Sequence, residues 1–339
     1  MRSPPAGLEP QYLDMALAQG WQLRAASMEY LPVGGGGYHW VLADVDGLRH
    51  FVTVDDLDSK DWLGDTRQVV FEGLQRALGT AATLHRDAEL QFVVAPVPAR
   101  DGELLHRLDD RHAVSVFPFL AGRSYPFGPY PNAGLREQAL DLIVALHGAT
   151  PVVRDLAPAH EPGYTGRANL DAFLLDPWRP WDGGPFARDA HHLVAARAAD
   201  LARLVTGFGQ LAALTEAARA DLAITHGEPH PANLMSVDGR LVLIDWDTVA
   251  LAPPERDLSL IIAGPGDIDR YQEAAGREAN PAVITLYRLR WYLDDLASAV
   301  QMFRDPHRDT ADTRRWWQGL APGLEQLPRR LAQLAEQLA

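Results

Sequence analysis

The sequence of 339 residues contains no cysteine, and a single lysine, Lys60, stands among its 31 basic residues. The absence of cysteine excludes disulfides, thiolate nucleophiles and cysteine-ligated metals. Every other basic residue is an arginine, so chemistry that needs a side-chain ammonium has one place to find it. No run of 18 apolar residues occurs, and residues 1–7 lack the apolar stretch of a signal peptide, so we expect a cytoplasmic protein with no membrane span.

Positive charge is also scarce, because 45 acidic residues outnumber the 31 basic ones and give a formal net charge of −14. A field of this sign repels nucleic acid and anionic membranes and attracts cations, so neither of the first two is an expected partner. Apolar residues make up 47% and charged residues 22%, as in ordinary globular proteins, and the length suits about two domains.

The first third of the chain has the pattern of a small α+β lobe. Alternating or short apolar runs predict strands at 21–31, 38–44, 50–55, 91–96 and 113–120. Residues 65–84 place Val69, Val70, Leu74 and Leu78 on one side of a predicted helix. Five strands and one helix therefore form the expected N-terminal unit.

Helical patterns dominate the remainder. Asn132 is a suitable N-cap for a helix that ends at Gly148. Further helices are predicted within 186–222, at 281–303 and in the tail from residue 327, with loops at 122–134, 150–165 and 177–185. The tryptophans at 178, 181, 316 and 317 are expected in the core.

One β-hairpin interrupts these helices at the dipeptide Asp238-Gly239, a strong signal for a two-residue turn. That turn makes Asn233 face Ile244, so Asn233 and Asp245 should lie side by side at the open end. Facing positions are about 5 Å apart, and two oxygen-bearing side chains placed this way can share one hard cation.

The most informative segments are His226-Gly-Glu-Pro-His-Pro-Ala-Asn233, then Ile244-Asp-Trp-Asp247, then a Pro-Glu-Arg-Asp-Leu tail that ends at Leu258. They resemble the Brenner-type motif of the aminoglycoside phosphotransferase (APH) family, and most of all its spectinomycin phosphotransferase branch. The resemblance covers nearly the whole chain. It implies a bilobal protein-kinase-like fold, with a nucleotide-binding lobe at 1–115, a hinge at 116–122 and a catalytic and acceptor-binding lobe at 123–339.

The resemblance also implies roles for individual residues. Glu228 occupies the position of the catalytic carboxylate, which orients or deprotonates the acceptor hydroxyl. Asn233 and Asp245 would hold Mg²⁺ at the phosphates of the nucleotide. His226 and Asp257 would brace the catalytic loop. Backbone groups of Gly34, Gly35 and Gly36 would cover the phosphates, and those near Phe117 and Phe119 would bind the purine of ATP or GTP.

Two positions depart from the family pattern. Glu228 stands where relatives carry aspartate, and its side chain reaches about 1.5 Å further, on a scale where about 1 Å can cost about 100-fold in rate. Thr53 falls in the slot of the strand-3 lysine that contacts the phosphates. Lys60 is the available substitute, paired with Glu72 of the following helix; the alternative is a solvated surface lysine, and Arg49 is a weaker substitute.

The acceptor site is less clear from sequence. Asp294 and Asp295 share a helix with Trp291 and could bind a cationic or polyhydroxylated ligand together with Asp247; the alternative is a solvated acidic face. The predicted function is transfer of the γ-phosphoryl of a nucleoside triphosphate to a hydroxyl of an antibiotic of aminoglycoside, aminocyclitol or nucleoside type, by a monomer or homodimer. The alternatives are a pseudokinase that binds ligand without turnover, and a metabolic kinase of a small hydroxylated compound.

Overall fold

The computed structural model describes residues 1, 4–5, 7–160 and 163–338. The chain divides into two compact units, Met1–His160 with Leu222–Glu278, and Glu161–Asp221 with Ala279–Ala339. The predicted hinge at 116–122 lies within the first unit, so a division of the chain at that segment stays a prediction. Among the described residues, no helix is long and apolar enough to cross a membrane.

The helices and strands of both units are numbered in chain order. The α-helices are Pro10–Trp21 (α1), Arg67–Arg86 (α2), Ala133–Gly148 (α3), Thr150–Val153 (α4), Arg167–Leu175 (α5), Ala187–Ala195 (α6), Ala198–Leu214 (α7), Glu255–Ile261 (α8), Pro265–Ala275 (α9), Pro281–Arg304 (α10), Ala311–Glu325 (α11) and Leu327–Leu338 (α12). The strands are Ala25–Leu31 (β1), Gly37–Asp44 (β2), Arg49–Asp56 (β3), His106–Arg107 (β4), His112–Pro118 (β5), Arg123–Ser124 (β6), Ala223–Thr225 (β7), Leu234–Val237 (β8), Arg240–Leu243 (β9) and Ala250–Ala252 (β10).

The first unit contains an antiparallel sheet of order β1-β2-β3-β5-β4. One face packs Trp40, Val52 and Val116 against Leu13 and Leu17 of α1. On the other side, residues of α2 pack around Ala113 of β5. The predicted meander and the helix at 65–84 are confirmed.

The predicted strand at 91–96 is wrong, because this segment contributes only an isolated bridge from Val93 to Leu243. Pro96 and Pro98 lack the N–H groups that a ladder needs, so this apolar run stays irregular, with Val93 and Pro96 buried. The fifth strand is instead the short β4. The sequence reading also missed α1, which has little sequence signal beyond Leu13 and Leu17 one turn apart.

The hairpin of β8 and β9 has the predicted register, with Leu234 opposite Leu243 and Val237 opposite Arg240. Asp238 and Gly239 both have positive φ, 48° and 78°, as a two-residue type I′ turn requires. Asn132 caps α3 as predicted, since its side chain accepts from the backbone N–H of Leu135 at 2.9 Å.

The second unit is helical, and its core is formed around α10, which packs against α5, α6, α7, α11 and α12. The prediction of core tryptophans is correct for Trp181, which is buried. Trp316 and Trp317 are partly buried at the edge of this core. For Trp178 the prediction is wrong, because its side chain is 72% exposed.

Candidate active site

The catalytic loop, residues 226–233, connects β7 to β8 in the first unit, and Asp257 at the start of α8 holds its first turn. One carboxylate oxygen of Asp257 accepts from the backbone N–H of Gly227 at 2.6 Å, and the other accepts from His226 N–H at 2.9 Å. Asp257 is fully buried and contacts His147 Nε2 at 3.2 Å. Burial by itself raises the pKa of Asp257, but the hydrogen bond and positive charge of His147 outweigh it and hold that pKa below its usual value.

His226 connects the catalytic loop to the segment that follows the hairpin. Its Nε2 lies 2.9 Å from the carbonyl oxygen of Ile244, and its Nδ1 accepts from the backbone N–H of Glu228 at 3.2 Å. A carbonyl only accepts and an N–H only donates, so these contacts fix the neutral tautomer with the proton on Nε2. Burial lowers the pKa of His226 to about 4, which agrees with a ring that stays neutral. The residue thereby positions both Glu228 and the chain entering Asp245.

The side chain of Glu228 is 37% exposed, so its carboxylate can be reached from solvent. Its carboxylate lies 3.7 Å from Nε2 of His230. The hydroxyl of Tyr130 donates to the carbonyl of Pro229 at 2.5 Å, and the ring of Phe127 meets that of His230 edge-on at 4.9 Å. The segment between β6 and α3 therefore packs directly on the loop that carries Glu228.

Asn233 and Asp245 lie next to each other as the hairpin register requires, since Ile244 N–H donates to Asn233 C=O at 2.9 Å. The amide nitrogen of Asn233 donates to the Glu228 carbonyl at 3.0 Å, which turns the amide oxygen the other way. Asp245 adopts a positive φ of 68°, which aspartate tolerates better than most residues. Amide and carboxylate oxygens in this arrangement are donors that suit Mg²⁺.

The electrostatics around Asn233 and Asp245 also favour the binding of a cation. Asp245 keeps an exposed surface, while its carboxylate is enclosed by neighbouring groups that include Asp247, Lys60 and Glu228. This burial, and next the negative charge of Asp247, raise the pKa of Asp245 well above its usual value, while Lys60 acts in the opposite direction. Several carboxylates thus share one ammonium, and a divalent cation would relieve the remaining repulsion.

Lys60 lies inside this site and is only 2% exposed. It sits between two short 3₁₀ turns after β3, Leu57–Ser59 and Asp61–Leu63. Its Nζ is 3.0 Å from Asp55 and 2.5 Å from Asp247. Burial by itself would lower the pKa of Lys60, but Asp247 and Asp55 reverse this and raise it above its usual value, so the group is an ammonium. The alternative of a solvated surface lysine is therefore wrong.

The expected pairing of Lys60 with Glu72 is also wrong. Glu72 is exposed on α2, and its carboxylate accepts from the side chain of Gln68 at 2.7 Å. The helix turns this residue to solvent, and Asp55, which the sequence reading did not single out, takes the partner position. Thr53 in the family's lysine slot faces His39 across the sheet, with Oγ1 and Nδ1 3.2 Å apart.

The glycine-rich connection between β1 and β2 lies close to the ammonium of Lys60. A Cβ built on Gly36 would stand 3.8 Å from Lys60 Nζ, and Gly34 has a φ of 69°, which glycine adopts without strain. Gly37 is confined by His39 and Asp55, because a Cβ there would meet them at 3.3 Å and 3.4 Å. The structure therefore brings Gly36, the last of the three predicted glycines, close to Lys60.

The predicted purine-binding segment lies at the end of β5. Val116 C=O accepts from Val97 N–H at 2.7 Å, so Val116 directs its backbone groups away from β3. Strand alternation then turns the groups of Phe117 toward Phe51 of β3 and the carbonyl of Pro118 away from it. Phe119 instead carries the guanidinium of Arg49, 3.6 Å above its ring. At this edge the Pro118 carbonyl, and not a backbone group of Phe117, is directed away from β3, and purine binding by this segment stays a prediction.

The predicted acceptor-binding residues fall in both units. Asp247 belongs to the first unit and is bonded to Lys60. In the second unit, α10 carries Trp291, Asp294 and Asp295. Asp294 accepts from the backbone N–H of Thr165 at 2.5 Å and lies 3.6 Å from Arg290, while Asp295 is exposed. Asp294 thus ties the segment before α5 to α10, which is a structural contact, and a ligand role for these three residues stays a prediction.

The sequence reading missed several residues that shape the catalytic loop. Arg256 donates to Thr225 Oγ1 and Thr248 C=O, each at 2.9 Å, and leaves no room for a Cβ on Gly227. His147 Nδ1 lies 2.8 Å from the hydroxyl of Tyr271. Tyr271 and His147 are far from the motif in sequence, so a local pattern gives no signal for them, whereas Arg256 stands inside the recognised tail.

A family model described as APH, phosphotransferase enzyme family, matches residues 72–298 of the chain. Among curated proteins, the chain is 29% identical to Protein StrN of Streptomyces griseus over 245 residues, which are 68% of this chain and 70% of that protein.

Similar solved structures include spectinomycin phosphotransferase APH(9)-Ia in complex with ADP and spectinomycin, with a TM-score of 0.73 and 16% identity over 96% of this chain and 99% of that chain. They also include choline kinase LicA of Streptococcus pneumoniae, with a TM-score of 0.52 and 12% identity over 94% and 99%. These likenesses confirm the expected α+β, kinase-like fold.

Proposed function

We infer the function from one premise, that the chain belongs to the APH phosphotransferase enzyme family and is a phosphotransferase with an alcohol group as acceptor. We propose that it transfers the γ-phosphoryl group of ATP or GTP to a hydroxyl of an antibiotic-like small molecule. The observation that carries this proposal is the position of Lys60. The single lysine is buried beside the glycine-rich connection and within the field of Asp245, although the family's usual lysine slot holds Thr53.

Residues of the first unit would each have a separate role in phosphoryl transfer. Lys60 and the backbone of Gly34–Gly36 would bind the phosphates, and Asn233 and Asp245 would hold Mg²⁺, which when bound neutralises phosphate charge. Glu228 would orient the acceptor hydroxyl and accept its proton. Since the transition state for this transfer is loose, the protein contributes mainly position and charge, so the longer side chain of Glu228 is compatible with turnover.

The acceptor class is proposed on chemical grounds. Known structures similar to this one include spectinomycin phosphotransferase with ADP and spectinomycin, and amicoumacin kinase hAmiN in complex with AMP-PNP, Ca²⁺ and Ami, the latter with a TM-score of 0.57. The acidic balance of the chain, −14 in formal charge, favours a cationic acceptor. Aminocyclitols and aminoglycosides carry both amines and hydroxyls and are therefore the first acceptors to test.

The test is a mass measurement. The protein is incubated with MgCl₂, ATP or GTP, and a panel of hydroxylated antibiotics, and a gain of one phosphoryl group is sought in each acceptor. Glu228→Gln should abolish the gain while nucleotide affinity stays within about twofold, because the carboxylate acts on the acceptor. Glu103→Gln makes the same change at an exposed site and should behave as wild type. An unchanged rate in Glu228→Gln would disprove its catalytic assignment.

The second candidate, a pseudokinase that binds ligand without turnover, is favoured by Glu228 and Thr53, which both depart from the family pattern. It predicts nucleotide binding with no phosphorylated product for any acceptor. A broad panel that gives binding but no mass gain would replace the first proposal by this one.

A further inference from the structure

In protein kinases, the lysine that contacts the nucleotide phosphates must be paired with a carboxylate of the following helix for the site to be active. In this chain the lysine is Lys60, in a turn seven residues after the family's position at Thr53 of β3. A carboxylate on the helix that follows is therefore not necessarily placed to pair with it. The helix α2 offers a single carboxylate, Glu72, and this side chain is exposed and bonded to Gln68. The partner must therefore come from another element.

Asp55 of β3 satisfies that requirement. Its side chain is 7% exposed and contacts the ammonium of Lys60 at 3.0 Å. It is fixed on both sides by the sheet, since its backbone pairs with Gly37 in β2 and with Ala113 in β5. Gly37 lies directly beside this carboxylate, since a Cβ built on it would be in van der Waals contact with Asp55 Oδ1 at 3.4 Å.

The other partner of Lys60 is of a different kind. Asp247 stands two residues after Asp245, in the segment proposed to meet the metal, and it belongs to a loop rather than a sheet. Asp55 belongs to the same sheet as the strands that flank the glycine-rich connection. A carboxylate in that sheet keeps the ammonium at a constant place beneath the connection, whichever partner Asp247 takes.

We propose that Asp55 is the positioning residue of the nucleotide site, holding Lys60 beneath the glycine-rich connection in place of the helix carboxylate used elsewhere in this fold. The proposal rests on the proposed function for its nucleotide part. Asp55 acts through Lys60 and does not touch the substrate. The lysine–carboxylate pair of this chain is thus local, with both members within six residues of each other.

The first experiment needs no nucleotide, because Lys60 is the only lysine of the chain. Acetylation by sulfo-NHS-acetate is followed by mass spectrometry of the peptide 50–67 after cleavage at arginine. Asp55→Asn should accelerate acetylation of Lys60 about tenfold, the scale of one lost charge-assisted hydrogen bond. The matched control is Asp56→Asn, the adjacent buried carboxylate, which pairs with Arg111 and should leave the rate unchanged. Equal rates in wild type and Asp55→Asn would overturn the proposal.

The second experiment measures the affinity of fluorescent ATP and GTP derivatives in a double-mutant cycle. Asp55→Asn should weaken binding about tenfold, and Asp55→Glu should recover part of the loss. In the Lys60→Met background, Asp55→Asn should cause no further loss and should improve binding, since an unpaired carboxylate near the phosphates is then removed. Independent, additive losses would indicate a merely structural role and overturn the proposal.

Folding failure is distinguished by circular dichroism, and Asp55→Glu, which keeps the charge, serves if Asp55→Asn does not fold. If acetylation behaves as expected and wild type binds neither nucleotide, the Asp55–Lys60 pair stands and the proposed function is what fails. If wild type binds nucleotide and Asp55→Asn binds equally well, the proposed function stands and the positioning role is wrong.

Discussion

Asp257→Asn provides a stringent test of how the catalytic loop is held. The native carboxylate accepts from two backbone N–H groups, those of His226 and Gly227, and contacts His147, with no exposed surface. The amide of asparagine has one acceptor oxygen and one donor nitrogen. Whichever way it is turned, its NH₂ group faces a donor, so one buried N–H loses its partner and His147 loses its carboxylate.

The expected cost follows from these contacts. Hydrogen bonds to a charged group contribute about 1.5–3 kcal/mol each, and Asp257→Asn removes two of them, one from a backbone N–H and one from His147, so the cost should be about 3–6 kcal/mol. For a folding unit of about 150–250 residues, each kcal/mol lowers Tm by about 2–4 °C, so Tm should fall by about 6–24 °C. The loop that carries Glu228 would also loosen, and kcat should fall further than the nucleotide KM rises.

The assay is thermal unfolding by circular dichroism, paired with steady-state kinetics on whichever acceptor is phosphorylated. Asp141→Asn is the matched control, since Asp141 pairs with Arg270 at the surface, with its side chain 55% exposed. Exposed pairs contribute about 0–1 kcal/mol, so this variant should lose at most about 4 °C. If Asp257→Asn lost no more than Asp141→Asn, the carboxylate would not be what holds the loop.

Three further predictions concern the same loop. Glu228→Asp should lower kcat by about 10- to 100-fold at unchanged stability, because the carboxylate withdraws by about 1.5 Å; equal rates would show that its reach is not matched to the acceptor. Tyr130→Phe removes the donor to Pro229 C=O, and we expect kcat to drop severalfold with little change in nucleotide KM, measured by initial rates. Burial lowers the pKa of His226 to about 4, so the unfolded chain binds its proton more readily. The contribution of His226 to stability should therefore be complete above about pH 6.5 and fall by at most about 1.4 kcal/mol per pH unit toward pH 4. A Tm that stays constant between about pH 7 and pH 5 would contradict a neutral buried ring.

Local signals were enough for the elements with strong periodicity or turn chemistry. The Asp238-Gly239 dipeptide predicted the hairpin and its register, and hence the adjacency of Asn233 and Asp245. Asn132 predicted the start of α3. The apolar run at 91–96 wrongly predicts a strand, because a short apolar segment has the same composition whether or not it joins a sheet, and only its prolines argue against one.

The site was predictable only in part for a different physical reason. Glu228, Asn233 and Asp245 share one motif, so their spacing carried the information. Asp55, His147 and Tyr271 contact the site across long stretches of chain or from a neighbouring strand. No local pattern encodes such contacts, which arise when the sheet and helices pack.

The sequence by itself determined that only one side-chain ammonium exists, that Thr53 stands where the family places a lysine, and that a hairpin aligns two oxygen-bearing side chains. It left open whether Lys60 was a solvated residue or part of the site, and it named the wrong partner in Glu72. Only the tertiary structure decided this, because the register of β3 with β2 and β5 sets Asp55 beneath the glycine-rich connection, and the return of the chain after the hairpin brings Asp247 to the same ammonium. A charge is fixed by the residue type, but its burial and its partners are properties of the packed fold.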